Sequence, residues 1–259
     1  MGSLHVSLFD SHCHLQDMRI ASDIDAVMKR AGEAGVKRIV CCGTSEDDWC
    51  EVLLLAKRYK AITPALGIHP WYAAGRSQSW RGRLQELLQS DERIAVGEIG
   101  LDHALPQRDD DDQIELFYEQ LSLATRLGRP VSIHCRKAWG SIMQLFRREP
   151  HIAAGSVIHS YSGPPELVEE LTRYGVSLSF SGAITYTDNR RCREAAALTP
   201  ADKLLVETDS PDIVPSGWSG HNEPASLEIV VSALASLRGI DIAEAGQKTF
   251  ANGSALFGR

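Results

Sequence analysis

The sequence predicts an α/β fold, a single (β/α)₈ TIM barrel formed by residues 1–259. Its length is that of one α/β barrel domain. Short β-branched runs alternate with longer amphipathic segments, a pattern typical of a parallel sheet whose strands are connected by helices. Residues able to bind metal follow most of these runs, as expected of a barrel that carries its chemistry at one rim.

The β-branched runs place about eight strands along the chain, at residues 6–10, 37–43, 62–69, 93–98, 131–135, 156–160, 176–180 and 204–209. Helical spacing lies between them, for example at residues 23–34, 45–59, 113–127, 165–174 and 224–237. Gly35, Gly128 and Gly175 follow three of these segments, where a glycine commonly ends a helix. Long loops are expected at residues 101–112 and 211–223.

The composition is that of a globular protein, with 43% hydrophobic and 24% charged residues. No apolar run reaches the roughly 18 residues that a membrane-spanning helix needs, and the first residues do not resemble a signal peptide. We therefore expect a cytoplasmic protein with no membrane contact. The six cysteines include no CxxC pair, which favours reduced thiols. A net charge of -7 argues against a broad basic face that binds nucleic acid. If the substrate is a polyanion, metal ions and a few local arginines must attract it.

Metal-binding side chains fall at the predicted C-terminal ends of the strands, where α/β barrels carry their active sites. They occupy six strand ends: His12 and His14, His69, Glu98, His134, His159 and Asp209. His12 and His14 share one face of a strand, whereas Cys13 points away from it. Glu207 shares a face with Asp209 and would lie deeper, where a carboxylate can orient a ligating histidine. This convergence predicts a metal centre.

Two other features have competing interpretations. The acidic run at residues 109–112 resembles a cation site, but acidic residues also stabilise the start of a helix, and we predict a helix start. Trp71 and Tyr72 could stack on a base at the mouth of the barrel or pack beneath loops. The sequence leaves both interpretations of these aromatic residues open.

Six ordered motifs carry a resemblance to a known family. They are DSHCHL around His12 and His14, GIHPW at His69, GEIGLD at Glu98, PVSIHCR at His134, HSYSG at His159 and ETDSP at Asp209. Together they resemble the TatD family of metal-dependent deoxyribonucleases, which belongs to the amidohydrolase superfamily. The resemblance extends from residue 10 to residue 257.

The resemblance implies a deoxyribonuclease that cleaves DNA with water activated by two divalent ions. It implies that His12, His14 and Asp209 hold one ion, that His134 and His159 hold the other, and that Glu98 bridges them. Asp209 would also accept a proton from the attacking water, and His69 and Arg136 would face the substrate phosphate. Imidazole and carboxylate ligands suit Zn, Mn, Co or Ni, and Mg at a weaker site.

The chain departs from the family pattern after Asp102, where the family usually has an aromatic residue and an arginine. This chain has His103 and the acidic run instead, and the negative charge of this loop would repel a nucleic-acid backbone, although Arg108 would offset part of that charge. An amidohydrolase or lactonase acting on a small molecule at the same metal centre is therefore the alternative. A second alternative is a protein that binds a ligand through its metal but catalyses no reaction. The sequence does not determine the oligomeric state, and a monomer is favoured.

Overall fold

The structure is a computed structural model that describes residues 6–153 and 155–258. Residues 1–5, 154 and 259, which the predicted 1–259 domain includes, lie outside the described residues. In the described chain, eight parallel strands form a nearly closed barrel, each paired with the next in sequence order. The strands are β1 (Leu8–Cys13), β2 (Val36–Cys42), β3 (Ile62–Leu66), β4 (Ala95–Asp102), β5 (Val131–Arg136), β6 (Ser156–Ile158), β7 (Ser177–Phe180) and β8 (Leu204–Val206). The predicted (β/α)₈ barrel is confirmed.

Helices cover the outside of the barrel between successive strands. The α-helices are α1 (Met18–Ala21), α2 (Ile24–Glu33), α3 (Trp49–Arg58), α4 (Trp80–Ser90), α5 (Asp110–Leu127), α6 (Trp139–Arg148), α7 (Val168–Arg173), α8 (Arg190–Leu198), α9 (Leu227–Arg238) and α10 (Ile242–Phe257). Short 3₁₀ segments lie at Pro70–Gly75, Pro150–Ile152, Pro165–Leu167, Gly182–Thr185 and Pro224–Ser226. No helix in residues 6–153 and 155–258 has the length and apolar character that a membrane span requires.

The acidic run begins a helix, as the sequence predicted. Asp109 precedes the first residue of α5, and its side chain accepts a hydrogen bond from the amide of Asp112 at 3.0 Å. The carboxylates of the first turn therefore face the positive end of the helix dipole. Gly128 ends the same helix in the left-handed conformation that a C-terminal glycine allows, with a φ of 62°.

The barrel closes where the end of β1 meets the turn after β8. The amide of Asp209 donates to the carbonyl of His12 at 3.0 Å, and the amide of His14 donates to the carbonyl of Ser210 at 2.8 Å. These two backbone hydrogen bonds place the predicted ligands of β1 directly beside Asp209. Below them, Phe9, Val40, Cys42 and Leu205 belong to a small apolar cluster inside the barrel, which Phe257 of α10 joins.

Strand boundaries differ from the prediction mainly around the site. The fourth strand was predicted to end at Glu98 but continues to Asp102, with Gly100 opposite His134 and Asp102 opposite Arg136 on β5. A Cβ at Gly100 would overlap the carbonyl oxygen of His134, so a glycine is needed there for two strands to approach closely. Gly100 therefore allows β4 to continue beside β5 beyond Glu98.

Candidate metal centre

Glu98 of β4 lies at the centre of the cluster of histidines. Its side chain is buried, and its two oxygens face different imidazoles. The Oε2 atom lies 3.5 Å from Nε2 of His12 and 3.4 Å from Nε2 of His14. The Oε1 atom lies 3.0 Å from Nδ1 of His134 and 2.8 Å from Nε2 of His159. One carboxylate therefore connects two pairs of ring nitrogens, which come from the C-terminal ends of three strands, β1, β5 and β6.

Asp209 completes the first of these groups. Its Oδ1 atom lies 3.7 Å from Nε2 of both His12 and His14. The residue has a φ of 54°, so the backbone turns sharply after β8 and brings the carboxylate over the rim of the barrel. Glu207 reaches the site from the same turn, and its Oε1 atom lies 3.2 Å from Nδ1 of His159. The predicted contact between Glu207 and a histidine of the centre is confirmed.

The outward-facing ring nitrogens have partners that fix the histidine tautomers. Nδ1 of His14 lies 2.8 Å from the carbonyl oxygen of Cys42, which can only accept, so this nitrogen carries the proton and Nε2 is left free. Nδ1 of His159 donates to the Glu207 carboxylate in the same way. In His134 the roles of the nitrogens are exchanged, because Nε2 faces Oδ2 of Asp102 at 3.2 Å. Each ring therefore turns an unprotonated nitrogen towards Glu98 when neutral.

His69 adopts the opposite tautomer. Its Nδ1 accepts a hydrogen bond from the amide of Trp71 at 3.1 Å, and an amide can only donate. The proton of the neutral ring is therefore on Nε2, which lies 3.4 Å from Oε1 of Glu98. Burial lowers the pKa of His69 well below its usual value, so the ring is neutral. Unlike the rings of His14, His134 and His159, this imidazole presents an N–H group to the centre.

His12 is neutral for the same reason, since burial lowers the pKa of its imidazole to about 4. Its Nδ1 lies 2.8 Å from the hydroxyl of Ser132. Burial alone would raise the pKa of Glu98, but its electrostatic interactions with His69 and His159 and a hydrogen bond with His12 bring it well below its usual value. Glu98 is therefore ionised and His12 is neutral, the forms in which a carboxylate and an imidazole bind metal.

The donor set fits divalent cations. Nε2 of His12 lies 3.2 Å from Nε2 of His14, and Nδ1 of His134 lies 3.4 Å from Nε2 of His159, close to the separation of about 3.4 Å expected for two nitrogens bound at about 2.1 Å to one tetrahedral ion. The buried Oε2 atom of Glu207 has no hydrogen-bond partner among the described residues. Burial raises the pKa of the nearby Cys42 thiol well above its usual value, so thiolate is absent from this donor set.

The structure brings together most, but not all, of the residues that the sequence indicated. The cluster contains His12, His14, His69, Glu98, His134, His159 and Asp209. Arg136 ends β5 at the rim with an exposed side chain, which makes no ion pair or hydrogen bond with the part of the chain that the structure describes. Cys13 points away as predicted, into the apolar layer between barrel and helices.

Asp102 is a site residue to which the sequence analysis gave no role. It is buried at the end of β4, and its Oδ2 atom contacts both His134 and the indole Nε1 of Trp71. Burial would raise its pKa, but these hydrogen bonds and one from the amide of Ala104 lower the pKa below the usual range. The sequence contained one signal for Asp102. It lies four residues after Glu98, so the two side chains lie on the same face of a strand.

Comparison with known proteins agrees with this geometry. The family model described as TatD related DNase matches residues 9–258. The chain is 34% identical to the 3'-5' ssDNA/RNA exonuclease TatD of Erwinia amylovora, over 97% of this chain and 100% of the relative. It is 30% identical to the uncharacterized metal-dependent hydrolase YabD of Bacillus subtilis, over 96% of this chain and 98% of that protein.

Solved structures give the same result. The crystal structure of YjjV, a TatD homolog from Escherichia coli K12, superimposes with a TM-score of 0.93 at 31% sequence identity, and covers 99% of this chain and 100% of the homolog. The similarity therefore extends over the whole barrel and includes the strand ends that carry the histidine cluster. The chain belongs to the TatD-related DNase family of metal-dependent hydrolases.

Proposed function

We propose that this protein hydrolyses phosphodiester bonds of DNA at a centre of two divalent ions. His12, His14 and Asp209 would hold one ion, and His134 and His159 the other. The observation that carries the proposal is the position of Glu98, whose Oε2 atom faces the first histidine pair and whose Oε1 atom faces the second. This division of its two oxygens suits a carboxylate that bridges two ions with one oxygen on each.

When bound, two divalent ions supply an activated water and neutralise charge on the phosphate oxygens. Nitrogen and oxygen donors without thiolate are compatible with Zn, Mn, Co, Ni or Mg. The chain itself supplies the proton acceptor, for which Asp209 is the candidate. Its carboxylate lies at the rim beside His12 and His14.

The phosphate would be oriented by His69 and Arg136. The N–H group that His69 turns towards the centre can donate to a non-bridging oxygen, whereas a ring with its proton on the other nitrogen could not. Arg136 is exposed at the adjacent rim and has no ion-pair partner in residues 6–153 and 155–258, so its charge is available to a polyanion. These two residues support phosphoryl chemistry more than the hydrolysis of a neutral amide or lactone.

Nucleic acid as the substrate is supported by the relatives as well as by the site. The Erwinia amylovora relative is named as an exonuclease of single-stranded DNA and RNA. The chain has a net charge of -7, so the cations at the mouth would have to attract the strand locally.

The test uses metal-depleted protein that is reloaded with single ions and given a short labelled single-stranded oligonucleotide. Wild-type protein is expected to cleave it, whereas Glu98→Ala and His134→Ala should lose at least about a hundredfold in kcat/KM. Glu51→Ala and His151→Ala, which change exposed residues on helix α3 and on the 3₁₀ segment Pro150–Ile152, are the matched controls. Cleavage near the wild-type rate in folded Glu98→Ala would overturn the two-ion centre. Turnover of cyclic amides or lactones without cleavage of DNA would overturn the nuclease.

A further inference from the structure

Trp71 is a large aromatic side chain that remains 54% exposed at the mouth of the barrel. It follows His69 in the first turn of the 3₁₀ segment Pro70–Gly75, close to the centre. Exposure of an indole to this extent excludes the interpretation that it packs beneath loops. Its position therefore calls for another explanation.

Three contacts hold the indole in place. Its Nε1–H group donates to Oδ2 of Asp102 at 2.7 Å, and the same oxygen faces Nε2 of His134 at 3.2 Å. Its backbone amide donates to Nδ1 of His69, and the two rings meet edge to face with centroids 5.0 Å apart and an interplanar angle of 88°. The side chain is thus fixed at one edge while a large part of its surface stays open to solvent.

The same contacts connect the indole to the reacting centre. His134 and His69 both lie against Oε1 of Glu98, at 3.0 Å and 3.4 Å. The indole is therefore connected to Glu98 through one side chain, His69, and also through two, Asp102 and His134. Other exposed apolar side chains also occur in segments that follow strands at this end of the barrel: Met18, Tyr72 and Tyr186.

We propose that Trp71 forms a binding subsite for an unpaired nucleobase next to the scissile phosphate. The proposal rests on the nuclease function proposed above. A rigid aromatic face binds any base by stacking and needs no hydrogen-bond readout, so the subsite accepts all four bases. A base inside a duplex already has both faces stacked, so the subsite selects unpaired nucleotides.

Asp102 has a positioning role in this subsite. Since one carboxylate oxygen contacts both the indole and His134, the location of the base and the orientation of a predicted metal ligand depend on the same group. Removing the indole could therefore affect the centre as well as the base. The test must separate these two effects.

A double-mutant cycle, in which either the indole or the base is removed, separates the effect on base binding from the effect on the centre. Wild-type, Trp71→Ala, Trp71→Phe and Tyr72→Ala proteins are assayed on oligonucleotides that carry a single abasic residue at each position in turn, and kcat/KM is measured. In the wild type, one abasic position beside the scissile bond is expected to lower kcat/KM about tenfold, which is within the usual range for stacking of one base on an aromatic side chain. Trp71→Ala should lower kcat/KM on the intact oligonucleotide by a similar factor or more. The same abasic residue should then cost Trp71→Ala no further activity.

Controls distinguish stacking from a general loss of the centre. Trp71→Phe keeps an aromatic face without the Nε1–H group and should retain part of the abasic penalty, and Tyr72→Ala should retain all of it. An abasic penalty of unchanged size in Trp71→Ala, or its loss in Tyr72→Ala, would overturn the subsite while leaving the nuclease intact. Failure of the wild type to cleave any oligonucleotide would instead refute the proposed function on which the subsite rests.

Discussion

The buried carboxyl group of Asp10 accepts hydrogen bonds from both the amide and the hydroxyl group of Thr208. Asp10 lies on β1, and Thr208 lies between Glu207 and Asp209 in the turn after β8. The pair therefore holds the turn that carries two carboxylates of the centre against the first strand. It does so at the place where the barrel closes.

Replacing Thr208 with valine removes the hydroxyl donor and keeps the shape of the side chain. We expect the free energy of unfolding to fall by about 1–3 kcal/mol, because the buried carboxyl group of Asp10 loses a hydrogen bond. The rate of DNA cleavage should also fall, because the turn that carries Asp209 loses one of the hydrogen bonds that hold it against β1. Chemical denaturation measures the change in the free energy of unfolding.

Thr172→Val is the control, because it removes a hydroxyl in a partly exposed turn of α7, and it should cost under about 0.5 kcal/mol. Equal losses in the two variants would contradict this role of the pair.

Metal binding should stabilise the fold measurably. The buried carboxylates of Glu98, Glu207 and Asp209 lie around one cluster, and a divalent cation would offset their mutual repulsion. A ligand present at about a thousand times its dissociation constant adds about 4 kcal/mol to the free energy of unfolding. Chelation should therefore lower the melting temperature by several degrees, and readdition of Zn or Mn should restore it. A melting temperature that does not respond to chelation, in protein shown to have contained metal, would argue against a buried centre.

His69 should behave differently from the predicted metal ligands. Because its neutral ring carries the proton on Nε2, its removal deletes a hydrogen-bond donor to the substrate and leaves the metal sites filled. His69→Ala is expected to keep its metal content while kcat falls about a hundredfold, the usual effect of removing one preorganised donor. His134→Ala should lose metal. Metal analysis of the two purified variants distinguishes these outcomes, and loss of metal from His69→Ala would assign this residue to the ligand set.

The close approach of β4 and β5 makes Gly100 sensitive to any side chain. A methyl group there would overlap the carbonyl oxygen of His134, and the residue has a φ of 150°, a conformation that other residues rarely adopt. We expect Gly100→Ala to destabilise the protein by more than about 3 kcal/mol. Gly82→Ala is the control, because Gly82 lies inside helix α4 with open space around it and should gain about 0.5–1 kcal/mol. Comparable stability of the two variants would exclude this account of the β4–β5 contact.

Much of the centre could be predicted from the sequence because parallel strands bring their C-terminal ends to one rim. That rule alone places His12, His134 and His159 together. Asp102 was missed because its role depends on how far β4 continues beside β5, and the predicted strand ended at Glu98. The tautomer of His69 depends on a backbone amide of a 3₁₀ turn, which no residue pattern specifies.

Glu207 offers a test of how the outer carboxylates affect the centre. Its Oε1 atom accepts from Nδ1 of His159 and from the amide of Ser160, at 3.2 Å and 2.7 Å. Burial would lower the pKa of His159, but the charges of Glu98 and Glu207 and their hydrogen bonds with the ring raise it well above the usual value. Replacing Glu207 with glutamine keeps the shape of the side chain and both hydrogen bonds that Oε1 accepts, but removes the negative charge.

We therefore expect Glu207→Gln to remain folded and to bind the ion at His134 and His159 about 10- to 100-fold more weakly, the usual loss when a carboxylate behind a ligating histidine is changed. Titration of metal-depleted protein with a competing chelator measures the affinity. Glu194→Gln, on the exposed face of α8, should bind metal like the wild type. An affinity in Glu207→Gln equal to that of this control would mean that hydrogen bonding alone, without the negative charge, is sufficient to prepare His159 for metal.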